Sequence, residues 1–94
     1  MTAPHAVLVV EDETSIASFV AAYLRNAGYV VSTAATAQAA LVQLAAESPA
    51  LVILDLNLPD GDGVELCRRI RKTSDVPILM LTARDEDVDK IIGL

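Results

Sequence analysis

Residues 51–63 read LVILDLNLPDGDG, and the reading of this stretch decides the architecture. Four consecutive branched aliphatic residues are too short for a helix and do not alternate with polar ones, the pattern of a strand buried on both faces. The run ends on a carboxylate, Asp55, and gives way to Pro59, Asp60, Gly61, Asp62 and Gly63, turn formers that let the backbone fold over the strand end. A carboxylate placed directly after four large aliphatic side chains is poorly explained as a solvated loop end.

Working outward, the same arrangement recurs on both sides. Residues 6–10 (AVLVV) run into Glu11 and Asp12, and residues 78–81 (ILML), introduced by Pro77, run into Thr82. Helix-period segments lie between the runs. Ile16, Phe19, Val20, Tyr23, Leu24 and Ala27 recur at i, i+3, i+4, i+7, i+8 and i+11 and predict one inward apolar face, which stops at Gly28. Residues 29–33 predict a second strand, and residues 36–47 an Ala-rich helix with Ala37, Ala40, Leu41 and Leu44 inward. A third helix is expected from Asp62, where Asp62 and Glu65 have capping-box spacing and Leu66, Cys67 and Ile70 supply the inner face. Arg68, Arg69, Arg71 and Lys72 read as its solvated outer face, and a last helix is expected from about Asp85, with Val88, Ile91 and Ile92 inward. Short apolar runs alternating with helices predict an α/β fold with a doubly wound parallel sheet.

In such a sheet ligands bind beyond the carboxyl ends of the strands, where the strand order reverses. Glu11, Asp12, Asp55 and Thr82 are therefore expected to converge from distant parts of the chain. Two ionised carboxylates a few ångströms apart repel by roughly 1–4 kcal/mol, depending on local dielectric, so the pair should carry a raised pKa or bind a cation. Hard oxygen donors, with no Cys or His cluster in the chain, favour Mg²⁺ over zinc and suit chemistry on a phosphoryl group. Asp60 and Asp62 read better as helix caps or solvated loop ends, and Glu13 as a complement to a helix dipole.

Composition narrows the field further. A chain of 94 residues with 53% hydrophobic content is read as one domain spanning residues 1–94, and its formal charge of -6 argues against direct binding to a nucleic-acid backbone. No apolar run approaches the roughly 20 residues of a membrane span, and residues 1–5 lack the regions of a signal peptide, so a cytoplasmic location without membrane contact is expected. Cys67, the only cysteine, reads as a small buried hydrophobe and fits a reducing compartment.

Residues 7–13 (VLVVEDE), 51–63 and 76–83 (VPILMLTA), in that order and at that spacing, resemble the receiver domain of two-component response regulators. The resemblance implies a flavodoxin-like (receiver-type) sheet with the four strands present in the order 2-1-3-4, its switch point between the first and third strands. It implies that Asp55 is the phosphoacceptor, taking a phosphoryl group from a phosphohistidine on a sensor histidine kinase. Asp12 and Asp55 would ligate Mg²⁺ directly, Asn57 would offer its backbone carbonyl, and Glu11 would act mostly through a bound water. Thr82 would donate its hydroxyl to the phosphoryl group and serve as a switch, and small Ala83 would leave access to it. Residues 81–94 (LTARDEDVDKIIGL) look most like the subclass whose receiver precedes a winged-helix DNA-binding domain, a transcription regulator.

The family's fifth strand, with its Lys and its aromatic switch residue, and its fifth helix find no match in the chain, so the resemblance implies a receiver truncated before the fifth strand. Phosphoryl transfer would then be impaired. The fourth strand would become an open apolar edge, the inner faces of neighbouring helices would lose cover, and a homodimer or larger oligomer through residues 76–94 is expected. Two other readings stand beside this signalling one. One is an interaction module of receiver fold that is not phosphorylated. The other is a phosphatase of the haloacid dehalogenase type, whose acid/base Asp would be Asn57 here.

Overall fold

Each apolar run becomes a strand, and the strands pair side by side. The computed structural model describes residues 5–81 and contains β1 (Ala6–Val10), α1 (Thr14–Asn26), β2 (Val30–Ala34), α2 (Ala37–Glu47), β3 (Leu51–Asp55), β4 (Asn57–Leu58), β5 (Gly61–Asp62), α3 (Gly63–Arg71) and β6 (Ile78–Leu81). The main sheet has the order β2-β1-β3-β6 with every pair parallel. This is the expected order 2-1-3-4, with β6 as the fourth strand. The expected plain loop after β3 instead contains a small antiparallel ladder, with Asn57 opposite Asp62 and Leu58 opposite Gly61. Thr82, Ala83 and the helix expected from Asp85 lie outside the described residues.

The order reverses at β1, which pairs with β2 on one side and β3 on the other, so right-handed crossovers send α1 to one face and α2 and α3 to the opposite one. Side chains alternate between these faces along each strand. Leu8, Val10, Val52, Leu54, Ile78 and Met80 meet Ala37 and Ala40 of α2 and Leu66 and Ile70 of α3. Val7, Val9, Val31 and Ile53 form a second cluster with Ala21 of α1. Both faces of β1 and β3 are thus apolar, which explains why their sequences show no alternation. Cys67 is half-buried against the larger cluster and is a free thiol.

Helix α1 is rotated from the orientation its periodicity predicts. Ala17 and Ala21 are buried and Val20 and Leu24 pack beside them, whereas Ile16, Phe19 and Tyr23 are 41%, 73% and 71% exposed. Ala27, expected inward, is also exposed. The cause is steric: alanines on the contact line let the helix approach the sheet closely, and larger residues are displaced to its flank. No described element covers Ile16, Phe19 and Tyr23. The helix ends as expected, with Gly28 at φ +103°, a conformation that costs glycine little.

Two expectations for α3 also change. Asp62 caps it by accepting from the N–H of Val64 at 2.8 Å, and Glu65 pairs with Arg68 at 3.2 Å rather than closing a capping box. Arg71 is not simply solvated. Its guanidinium donates to the carbonyl of Val76 at 2.6 Å and so fixes the connection into β6.

Candidate functional site

At the carboxyl edge of the sheet the ends of β1 and β3 lie next to each other, because Val10 is level with Leu54. The residues that follow therefore converge without any special loop geometry. Carboxylate oxygens of Glu11, Asp12 and Asp55 all lie within 4.8 Å of one another. Glu11 is half-buried and Asp12 exposed, while Asp55 is buried with 8% of its surface accessible. The N–H of Glu11 donates to the carbonyl of Ala34 at 2.9 Å, tying the end of β1 to the end of β2. Its carboxylate accepts from the N–H of Glu13 at 3.0 Å, which restrains the side chain.

The electrostatics follow from crowding. Burial pushes the Asp55 carboxyl above its ordinary pKa, the charge of Asp12 adds to the rise, and the N–H groups of Asn57 and Leu56 partly oppose it. Burial likewise raises Glu11, with the charges of Asp55 and Asp12 adding to the effect and the N–H of Glu13 opposing it. A cluster of hard oxygen donors that cannot comfortably hold all its charges is suited to a small divalent cation such as Mg²⁺. A cleft of about 250 Å³ leads away from the cluster between α1 and β2, lined among others by Asp12, Thr14, Arg25 and Thr33.

The loop after Asp55 is firmly built. Asn57, the expected carbonyl ligand, opens β4 with its side chain exposed, and Leu58 beside it is buried. The N–H of Gly63 donates to the carbonyl of Leu56 at 2.9 Å, closing the loop at its base. Gly63 is required by proximity: a Cβ there would lie 2.5 Å from the carbonyl oxygen of Asp55 and 2.8 Å from the Cα of Leu56. The structure thus brings together Glu11, Asp12 and Asp55, puts Asn57 two residues beyond Asp55, and leaves Thr82 outside the described residues.

Asp60 is the residue whose part the sequence reading missed. It is a helix cap, as expected, but of a distant helix. Its two carboxylate oxygens accept from the N–H groups of Ala37, at 2.7 Å, and Gln38, at 3.1 Å, at the start of α2. No local pattern announces this, since the partners lie 22 and 23 residues earlier.

Comparison with known proteins agrees with this geometry. A family model described as the response regulator receiver domain matches residues 7–94. The KDP operon transcriptional regulatory protein KdpE of Escherichia coli is 48% identical over 88 residues, which are 94% of this chain and 39% of that protein. The alkaline phosphatase synthesis transcriptional regulatory protein PhoP of Bacillus subtilis is 45% identical over 89 residues, covering 94% of this chain and 37% of its own length. The chain therefore spans under two fifths of the length of these curated relatives. Among solved structures, the BeF3-activated N-terminal receiver domain of Klebsiella pneumoniae RstA superposes with a TM-score of 0.82 at 36% identity, covering 87% of this chain and 70% of that one. The chemotaxis response regulator CheY4 of Vibrio cholerae gives 0.84 at 35% identity, covering 94% and 76%. With the family model spanning nearly the whole sequence, the chain belongs to the receiver domain family of two-component response regulators.

Proposed function

We propose that this domain accepts a phosphoryl group on Asp55 from a phosphohistidine of a sensor histidine kinase. The observation that carries the reading is Asp55, the one buried carboxylate among the described residues, at a strand end with an oxygen within 4.8 Å of those of two further carboxylates. An Asp55 oxygen attacks phosphorus, the O–P bond forms as the P–N bond breaks, and the electron pair returns to the imidazole ring. Phosphoryl transfer of this kind depends mainly on positioning and on neutralising charge. Mg²⁺, held by Asp12, Asp55 and the carbonyl of Asn57, with Glu11 acting through water, would supply that neutralisation. The chain's own contribution is to fix Asp55 at the end of an interior strand and keep Asn57 in a short ladder beside it. Thr82, next in sequence after Leu81, is assigned the hydroxyl contact to the phosphoryl group. Given transcriptional regulators among the relatives, the output is assigned to gene control through parts of a longer protein.

The test is incubation with Mg²⁺ and a small phosphodonor such as acetyl phosphate, followed by intact mass and hydroxylamine treatment. One labile phosphoryl group is expected on the wild type and none on Asp55→Asn. Asp12→Ala should lose Mg²⁺ binding. A protein that binds Mg²⁺ but never gains the phosphoryl group would instead be an interaction module of the same fold.

A further inference from the structure

We infer that Asp60 is a positioning residue, holding the Asn57 loop over the acidic cluster by capping helix α2 from across the chain. The inference rests on the metal-binding reading of Asn57 given above.

Helix α2 has its own cap, since the hydroxyl of Thr36 accepts from the N–H of Ala39 at 3.0 Å and the N–H of Ala40 bonds the Thr36 carbonyl. That leaves the N–H groups of Ala37 and Gln38, which no local residue satisfies and which Asp60 takes one to each oxygen. A cap normally ends its own helix. This one joins two elements that are distant in sequence.

Asp60 lies in the turn between β4 and β5, and Asn57 stands at the other end of the same ladder, opposite Asp62. The loop is held at its base by the bond between Gly63 and Leu56, on its side by buried Leu58, and at its tip by Asp60. The base is also tied to β6, through the N–H of Leu56 and the carbonyl of Leu81, and Leu58 packs in the core cluster that holds Ala37 and Ala40, but the tip itself is fastened outside the β3–α3 connection by Asp60. The element that Asp60 reaches begins just after β2, whose last residue, Ala34, accepts the N–H of Glu11. A continuous set of bonds therefore runs from Glu11 through the end of β2 and the start of α2 to the Asn57 loop, joining the two sides of the acidic cluster. The bonds to Asp60 are charge-assisted and set against the positive end of the α2 dipole, so they favour one loop position over others. The same two N–H groups hold the Asp60 carboxyl below its usual pKa.

The experiment compares the wild type with Asp60→Ala, Asp60→Asn and Thr36→Ala. Amide hydrogen exchange at Leu56, Asn57 and Leu58 is measured in metal-free protein, and Mg²⁺ affinity by titrating amide chemical shifts. Loss of an outer group that supports a ligand typically weakens a metal site about tenfold or more, and Asp60→Ala should do so while speeding exchange across the loop. Asp60→Asn, which keeps one acceptor oxygen, should recover part of both. Thr36→Ala weakens the same helix start from its own side and should leave the loop and Mg²⁺ affinity unchanged. The inference is overturned if Asp60→Ala alters neither loop exchange nor affinity, or if Thr36→Ala alters both equally, which would reduce Asp60 to a helix-stabilising residue. A wild type without any Mg²⁺ response would overturn the metal reading alone, and loop exchange in the metal-free proteins would then decide the role of Asp60.

Discussion

Replacing Asp55 by Asn should make the metal-free protein more stable, even though it removes the proposed phosphoacceptor. The carboxylate oxygens of Glu11, Asp12 and Asp55 lie no more than 4.8 Å apart. Two unit charges at that distance repel by about 0.9 kcal/mol at the dielectric of water and about 3.5 kcal/mol at an effective value of 20. Asp12 is exposed and Glu11 only half-buried, so the watery end of the range applies and relief from both neighbours comes to about 1–2 kcal/mol. The Asn side chain keeps one oxygen toward the N–H groups of Asn57 and Leu56, so little is lost in exchange. Urea unfolding followed by circular dichroism, at pH 7 with a chelator, should show a higher midpoint for Asp55→Asn at unchanged slope. Two conditions should close the gap. Mg²⁺, bound by the folded wild type as proposed, would stabilise it. Acid does the same by another route: the folded-state pKa values of Asp55 and Glu11 are raised, so their favourable contribution is complete below the unfolded pKa and is lost as pH rises through the folded one. Wild-type stability should therefore gain on the variant as pH falls from neutral toward 4. A variant equal to or less stable than the wild type at pH 7 without metal would refute the argument that the cluster is strained by its own charge.

Other expectations can be checked by the same unfolding measurements. Gly63→Ala would drive a methyl against the backbone of Asp55 and Leu56, which cannot swing aside, and should cost about 1–3 kcal/mol despite the better helix propensity of alanine. A neutral or favourable result would mean that β3 and its loop can separate. Ser48 ends α2 at φ 48° and ψ 61°, so Ser48→Gly should relieve strain and add about 1 kcal/mol, read as a higher urea midpoint. Arg71→Met should lose the bond to the carbonyl of buried Val76, lowering stability by about 1 kcal/mol or more and speeding amide exchange in β6.

The sheet was the most legible part of the sequence. Runs such as 51–54 are apolar without alternation because both faces are covered, and with strands all parallel their polar sequels must meet at one edge. Hence Glu11, Asp12 and Asp55 could be put at one edge from residue order, and the strand order implied by the resemblance set the first and third strands side by side. Helix orientation was less legible, because periodicity locates an apolar arc without saying which of two adjacent stripes meets the sheet. In α1 the small Ala17 and Ala21 took the contact line, and the more hydrophobic stripe of Ile16, Phe19 and Tyr23 was left outside. Long-range caps were not legible at all. Asp60 looks the same in sequence whether it caps α3, faces solvent or, as here, reaches back to α2.

Asp55 is the last residue of β3 and is still inside the sheet, paired with Leu81, while the following N–H, of Leu56, reaches the carbonyl of Leu81 at 3.3 Å. Its main chain is thus fastened in an interior strand of a close-packed core, with Gly63 pressed against its carbonyl. Such a residue can change its charge but not its place. The sheet acts as a stiff frame, and any displacement that a new charge provokes must be taken up by the connections at the carboxyl edge. A change of charge at Asp55 would therefore be expressed at the carboxyl edge of the sheet, where the connections meet solvent.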